Sequence, residues 1–313
     1  MGLLQQGKWV DQWYDTDSSG GEFKRQDSRF RHWLTAEGEG NTFVAESGRY
    51  HLFVSLACPW AHRTLIFRVL KDLEKHIGVT VVEPLMLENG WTFSPEGEDL
   101  YGLRFLYELY LKADPDYEGR VTVPLLWDKK QQRIVNNESA DIIRIFNSAF
   151  NQITGNSDDY YPESLREDID AINQRVYDSI NNGVYRAGFA TSQAAYEKAY
   201  AALFDSLDWV ENLLSQQPYL VGDKLTEADW RLFTTLIRFD AVYHGHFKCN
   251  RNKLAEYRHI PDYMERLYGV AGVAETVHFD HIKQHYYGSH KTINPSGIIP
   301  AGPKPDFGKF VRR

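Results

Sequence analysis

The 313 residues predict an α/β sheet domain followed by an all-helical one. Three observations carry that prediction. Short β-rich runs recur between residues 50 and 135, interleaved with a helical pattern. Beyond Pro162 the periodicity changes to 3.6 and continues in long stretches. A compact order of strand, helix, three strands and helix fits within roughly residues 50–150, as an α/β sheet domain requires.

Residues 1–49 read as an aromatic-rich extension, broken by the turn signal Ser18-Ser19-Gly20-Gly21. The sheet domain is placed at 50–155. Tyr50 to Ser55 alternates and forms the first strand. Pro59 opens a helix whose apolar face carries Leu65, Ile66, Val69, Leu70 and Leu73. Val79–Val82 is the second strand, parallel to the first because a crossover helix joins them. Glu83–Gly119 has no single assignment. Val121–Trp127, interrupted by Pro124, and Arg133–Val135 make an antiparallel hairpin around Asp128-Lys129-Lys130. Asn137 is placed as the cap of a helix carrying Ile142, Ile143, Phe146 and Phe150. The helical domain spans 160–290, with helices near 164–186, 192–216 and 225–243. Thr226 and Asp229 form a capping box there, stapled by Leu225 and Trp230. The tail, 291–313, is rich in proline and reads as extended.

Composition narrows the function. The net charge is −8, so a polyanion is a poor partner and nucleic acid is disfavoured. No apolar run is long enough to span a bilayer, and the first residues lack the pattern of a secretory signal. Two cysteines, Cys58 and Cys249, point to a reducing compartment, and the cytoplasm is the expected location. No glycine-rich nucleotide loop is present. The pairs His281/His285 and His246/Cys249 lack a third ligand, so neither metal nor nucleotide is expected.

The chemistry centres on Cys58. It stands between a strand end and a helix start in Cys58-Pro59-Trp60-Ala61, with Pro59 suited to the first helical position. Free backbone N–H groups and the helix dipole favour an anion there, a placement that lowers a thiol pKa from ~8.5 towards ~3.5–7.5. A dithiol oxidoreductase carries its resolving cysteine where this chain has Ala61. A mixed disulfide at Cys58 therefore needs an external thiol, for which glutathione is the supply in a reducing compartment. The Val123–Pro124 step puts proline where an internal strand begins, a conflict that a cis peptide at a turn resolves. It would leave the Val123 N–H and C=O to pair with an extended peptide. Glu138-Ser139 at the next helix start offers a carboxylate and a hydroxyl beside unpaired N–H groups, suited either to the charged ends of an amino acid or simply to capping.

At this point the chain resembles a known family. The stretches SLACPWAHRTLI, PLMLENGWTF, GRVTVPLLWD, NNESADIIR, NNGVYRAGFATSQ, LTEADWRL, HFKC and SHKTINPSGIIP, with GKWVDQWYDTDSSGGEFKR at the start, are similar to the glutathionyl-hydroquinone reductases, the Xi-class glutathione transferases. The resemblance implies a thioredoxin-like N-terminal domain, a helical glutathione-transferase C-terminal domain and a homodimer. It implies Cys58 as nucleophile and glutathione as co-substrate, held by Trp91, Arg120, Val121, Thr122, Val123, Glu138 and Ser139. It implies Tyr185 as proton donor or acceptor, and Tyr243 and Tyr286 as hydrogen-bond partners of the Cys58 sulfur. Two departures stand out: Asn136 where serine is expected, and a short loop from Trp91 to Leu100.

The implied reaction is reduction of S-glutathionyl hydroquinones through a Cys58–glutathione mixed disulfide. Lowering a thiol pKa from ~8.5 to ~5.5 raises its thiolate fraction at pH 7 roughly 30-fold, while nucleophilicity falls about 15- to 30-fold. The gain is thus in the second step, where Cys58 leaves. The first step expels a ring carbon that must be protonated, which gives Tyr185 a physical role. The rival readings are a general glutathione-disulfide thioltransferase or dehydroascorbate reductase, a non-catalytic glutathione-binding protein, and a conjugating transferase, against which a nucleophilic cysteine argues.

Overall fold

A computed structural model describes residues 2–38 and 43–303. The chain divides into two compact units, 1–13 with 26–159 and 14–25 with 160–313. Residues 1–49 are thus shared between them. Residues 304–313, which complete the proline-rich tail and include Pro305, lie outside the described residues, as do 39–42.

The first unit opens with β1 (Leu3–Gln5) and β2 (Lys8–Val10), then the parallel pair β3 (Leu34–Thr35) and β4 (Phe43–Val44). Next come β5 (Tyr50–Val54), α1 (Pro59–Leu70), β6 (Gly78–Val81) and α2 (Leu106–Ala113). β7 (Gly119–Arg120), β8 (Leu125–Asp128), β9 (Arg133–Asn136), α3 (Ser139–Ser148) and α4 (Asn151–Thr154) complete it. The main sheet has the order β6-β5-β8-β9. β5 runs parallel to β6 and β8 pairs antiparallel with β9, as the sequence predicts, and β5 joins the two pairs by running antiparallel to β8. All of β5 is buried, as a central strand covered on both faces must be. A second sheet, β2-β1-β7, ties the first residues of the chain to Gly119 and Arg120.

Two expectations need correction. The strand expected from Val121 begins at Leu125. Proline has no N–H for a ladder, so Val121–Val123 runs unpaired up to Pro124. The Val123–Pro124 peptide is cis. The cap of α3 is Glu138, whose carboxylate accepts from Ala140 N at 3.1 Å. Asn137 is unavailable for that task. Its Oδ1 accepts from Phe30 N at 3.2 Å, and its Nδ2 donates to the Tyr110 hydroxyl at 3.1 Å.

The second unit is helical: α5 (Arg166–Val176), α6 (Gly183–Gly188), α7 (Gln193–Leu214), α8 (Glu227–Arg238), α9 (His244–His246), α10 (Ile260–Tyr268) and α11 (Phe279–Ser289). Two of the helices predicted as continuous contain π-helical turns, Tyr177–Asn181 before α6 and Phe239–Tyr243 after α8. The extra residue in each re-aims the side chains that follow. The Thr226–Asp229 capping box is present, with Thr226 N donating to Asp229 Oδ2 at 2.8 Å. Asp229 also accepts from Leu220 N and the Tyr263 hydroxyl, both at 2.9 Å, and so pins the α8 start to α10. No helix among the described residues is long and apolar enough to cross a membrane.

Candidate active site

Cys58 is the N-cap of α1, in extended conformation, with Pro59 at the start of the helix. The turn is set by Cys58 N donating to Ser55 O at 3.2 Å and by His62 N donating to Cys58 O at 2.9 Å. The thiol is half-buried, and its Sγ lies 3.6 Å from the Val123 carbonyl oxygen, to which it donates. So the helix start and the segment before the cis proline, 65 residues apart, meet in space. Cys249 is the opposite case. It is fully buried, and burial pushes its thiol well above the ordinary range.

The rest of the first unit's site is built on a buried tyrosine. The Tyr110 hydroxyl donates to Thr122 O at 2.9 Å and accepts from Thr122 N at 3.2 Å and from Asn137 Nδ2. That uses its one proton and both lone pairs. One side chain thereby fixes the Val121–Thr122–Val123 segment relative to the turn bearing Glu138 and Ser139. No described residue accepts from the Val123 N–H, which leaves it available beside Cys58.

Glu138 accepts from the Ser28 hydroxyl at 3.1 Å, and its own N–H donates to Asn136 Oδ1 at 2.7 Å. Asn136 also donates to His32 O and to Asp141, both at 3.1 Å, so it shapes the turn while Glu138 and Ser139 keep their places. Arg63 joins the two helix starts. It is buried, stacks 4.5 Å over the Trp60 ring, and donates to Ser139 Oγ at 3.4 Å. The Arg120 guanidinium donates to the carbonyls of Gln12 and of Trp13, the latter at 2.9 Å. Trp91 is buried, and its carbonyl accepts from Leu106 N at 3.0 Å. The short loop after it is cinched by buried Glu98, which accepts from the backbone of Leu100, Tyr101 and Leu103.

The second unit gathers the three tyrosines singled out in the sequence. Tyr185 and Tyr286 hydroxyls are 2.5 Å apart, and those of Tyr243 and Tyr286 3.0 Å. Each follows or ends a helical segment that the π turns re-aim, except Tyr286, which α11 carries. Burial, reinforced by the Tyr185 phenol, holds the Tyr243 and Tyr286 hydroxyls well above the usual range, so both remain neutral hydrogen-bonding groups. Phe189, Phe247 and His290 wall the cluster. Gly188 is required there: a Cβ at that position would sit 2.2 Å from the Phe247 ring.

Sequence reasoning missed Tyr110 and the clamp from residues 28–32, since neither stands near a reactive residue in the chain, and Arg63, whose partner Ser139 is 76 residues away. Arg25 was also missed. Its guanidinium lies 5.0 Å over the Tyr185 ring, and its Nε donates to Asn182 Oδ1 at 3.1 Å.

A mixed four-stranded sheet unit followed by a helical unit is the architecture of the glutathione transferase class. The family models agree: "Glutathione S-transferase, N-terminal domain" matches residues 57–149, and "Glutathione S-transferase, C-terminal domain" matches 193–266. The chain is 57% identical to glutathionyl-hydroquinone reductase YqjG of Escherichia coli K12, over 100% of this chain and 99% of that one. It is 54% identical to glutathionyl-hydroquinone reductase PcpF of Sphingobium chlorophenolicum, over 97% and 96%. The glutathione-bound structure of the E. coli protein superposes with a TM-score of 0.87, covering 89% of this chain and 94% of that one. The Xi transferase from Phanerochaete chrysosporium superposes equally, at 52% identity, covering 91% and 98%. The chain belongs to the glutathionyl-hydroquinone reductases, the Xi class of the glutathione transferases.

Proposed function

We propose that this protein reduces S-glutathionyl hydroquinones to hydroquinones at the expense of glutathione, with release of oxidised glutathione. The observation that carries the reading is a half-buried cysteine capping α1 with alanine, not a second cysteine, three residues on. Such a thiol attacks sulfur and must be released by a thiol from solution. The names of the full-length relatives supply the substrate class.

Cys58 thiolate attacks the thioether sulfur of the substrate. The new bond is Cys58 S–S glutathione, the carbon–sulfur bond breaks, and its electron pair goes to the ring carbon, which takes a proton. A second glutathione thiolate attacks the mixed disulfide, forming oxidised glutathione and returning Cys58 as thiolate. Glutathione lies extended along Val121–Val123 and pairs with the Val123 backbone. Glu138 and Ser139 receive its glutamyl end at the start of α3, and Trp91 and Arg120 complete its binding. Tyr185 exchanges the proton with the hydroquinone, beside the Tyr286 hydroxyl 2.5 Å away. The active species is a cytoplasmic homodimer.

Turnover of glutathionyl-menadiol against a simple mixed disulfide of glutathione tests the reading. Preference for the thioether is expected. Turnover of the disulfide alone would assign a general disulfide reductase, and glutathione binding without turnover of either would assign a non-catalytic binder.

A further inference from the structure

The second unit contains a cleft of about 520 Å³ that the proposed reaction does not use. Lys24, Arg25, Arg186 and Lys198 line it, with Glu22 as its one carboxylate. Four cations against one anion is a local reversal of sign in a chain of net charge −8. Lys198 meets Glu22 at 2.7 Å, and Lys24 and Arg186 add to the field that holds the Glu22 carboxyl below its usual range. An acidic ligand entering this cleft meets attraction where the rest of the molecule repels it.

The cleft is built rather than incidental. Arg25 is held in place by Asn182 at 3.1 Å and by the faces of Phe23 and Tyr185, at 5.5 and 5.0 Å. Arg186 is fixed by donation to Asp178 O at 3.0 Å. A guanidinium held in this way binds a planar oxyanion with little further ordering. The remaining lining residues are mostly apolar: Tyr177 and the alanines Ala195, Ala199 and Ala202 of α7, with Phe23 and Asn182 beneath Arg25. An inorganic oxyanion fills a small part of such a volume, whereas a two-ring organic molecule fills much more of it.

We propose that this cleft is a binding site for a small aromatic carboxylate or sulfonate, separate from the glutathione site. The ring lies against Tyr177 and Ala199, and the anionic group faces Arg25 and its neighbouring cations. The inference does not rest on the proposed reaction.

The test is equilibrium binding of 2-naphthoate to the full chain, with glutathione present at saturation. Saturable binding is expected, at least 10-fold tighter than that of neutral 2-naphthamide, and weakening as salt is raised. Lys24→Glu with Arg186→Glu should weaken it about 10-fold or more, while reversal at exposed Lys75 and Lys253 leaves it unchanged. Both cleft residues are exposed, so the fold should survive. The salt dependence of the unmodified protein serves as the test if it does not. Equal binding of the amide, displacement by glutathione, absence of saturable binding, or indifference to the cleft reversals would each overturn the proposal.

Discussion

At the scale of single residues, the two cysteines differ in every physical respect that matters. Cys58 is half-buried at a helix start, whereas Cys249 is fully buried with its thiol pushed up by desolvation. Cys58→Ser should abolish turnover and Cys249→Ser should retain most of it. After exposure to oxidised glutathione, mass spectrometry should find one adduct, on the peptide carrying Cys58. An adduct on Cys249 instead would overturn the mechanism. Tyr185→Phe should separate two chemistries. A thiolate leaves a disulfide without a proton on carbon, but a ring carbon cannot leave unprotonated. Loss of a general acid or base costs ~10²–10⁴ in rate, so kcat/KM for the hydroquinone should drop by about that factor, and far less for a disulfide. Equal losses on both substrates would remove the role given to Tyr185.

At the scale of elements, the site depends on how neighbouring segments are tied. Tyr110 on α2 holds Thr122 and Asn137 through one hydroxyl. Tyr110→Phe leaves two buried donors and an acceptor without their partner, at a cost of about 1–3 kcal/mol each before water enters. Denaturant unfolding should show that loss, and KM for glutathione should rise more than kcat falls. A drop in stability with KM unchanged would make Tyr110 purely structural. The start of α8 is a second such joint. Burial pushes the Asp229 carboxyl up to about 6 against the pull of its donors. The native state therefore holds a proton that the unfolded chain, near 3.8, has given up. The contribution of this group to stability is present below pH ~4 and declines as pH rises towards ~6. Relative to Asp229→Asn, the unmodified protein should lose stability across that window in urea titrations. Parallel curves would contradict the assignment.

At the scale of the molecule, the chain is acidic and divides into two compact units, with residues 14–25 belonging to the helical one. Removing residues 1–25 should therefore disturb both units. The first loses β1 and β2 and the carbonyls that Arg120 holds, and the second loses Phe23 and Arg25 beside Tyr185. Lower thermal stability together with lost turnover is expected, and full activity in the truncated protein would refute it. The proposed homodimer should appear in light scattering as twice the mass of the 313-residue chain.

Much of this was legible in local pattern. Alternation marked β5, 3.6 periodicity marked α1 and the helical unit, and Thr226 with Asp229 announced the α8 start, because each signal lies within one element. Cys58 was legible too, since strand, cysteine and proline are adjacent in the chain. Resemblance, not spacing, picked three tyrosines out of 19. Their contacts, between residues 101 and 43 positions apart, arise from packing of α6, α11 and the π turn after α8. The π turns were not read from the periodicity, because a single turn is too short to set a pattern of its own. Asn137 looked like a cap and Glu138 is one, since Phe30 and Tyr110 compete for the asparagine. Short-range preference decides where an element forms, but which polar group serves which partner depends on long-range neighbours that exist only once the chain has folded.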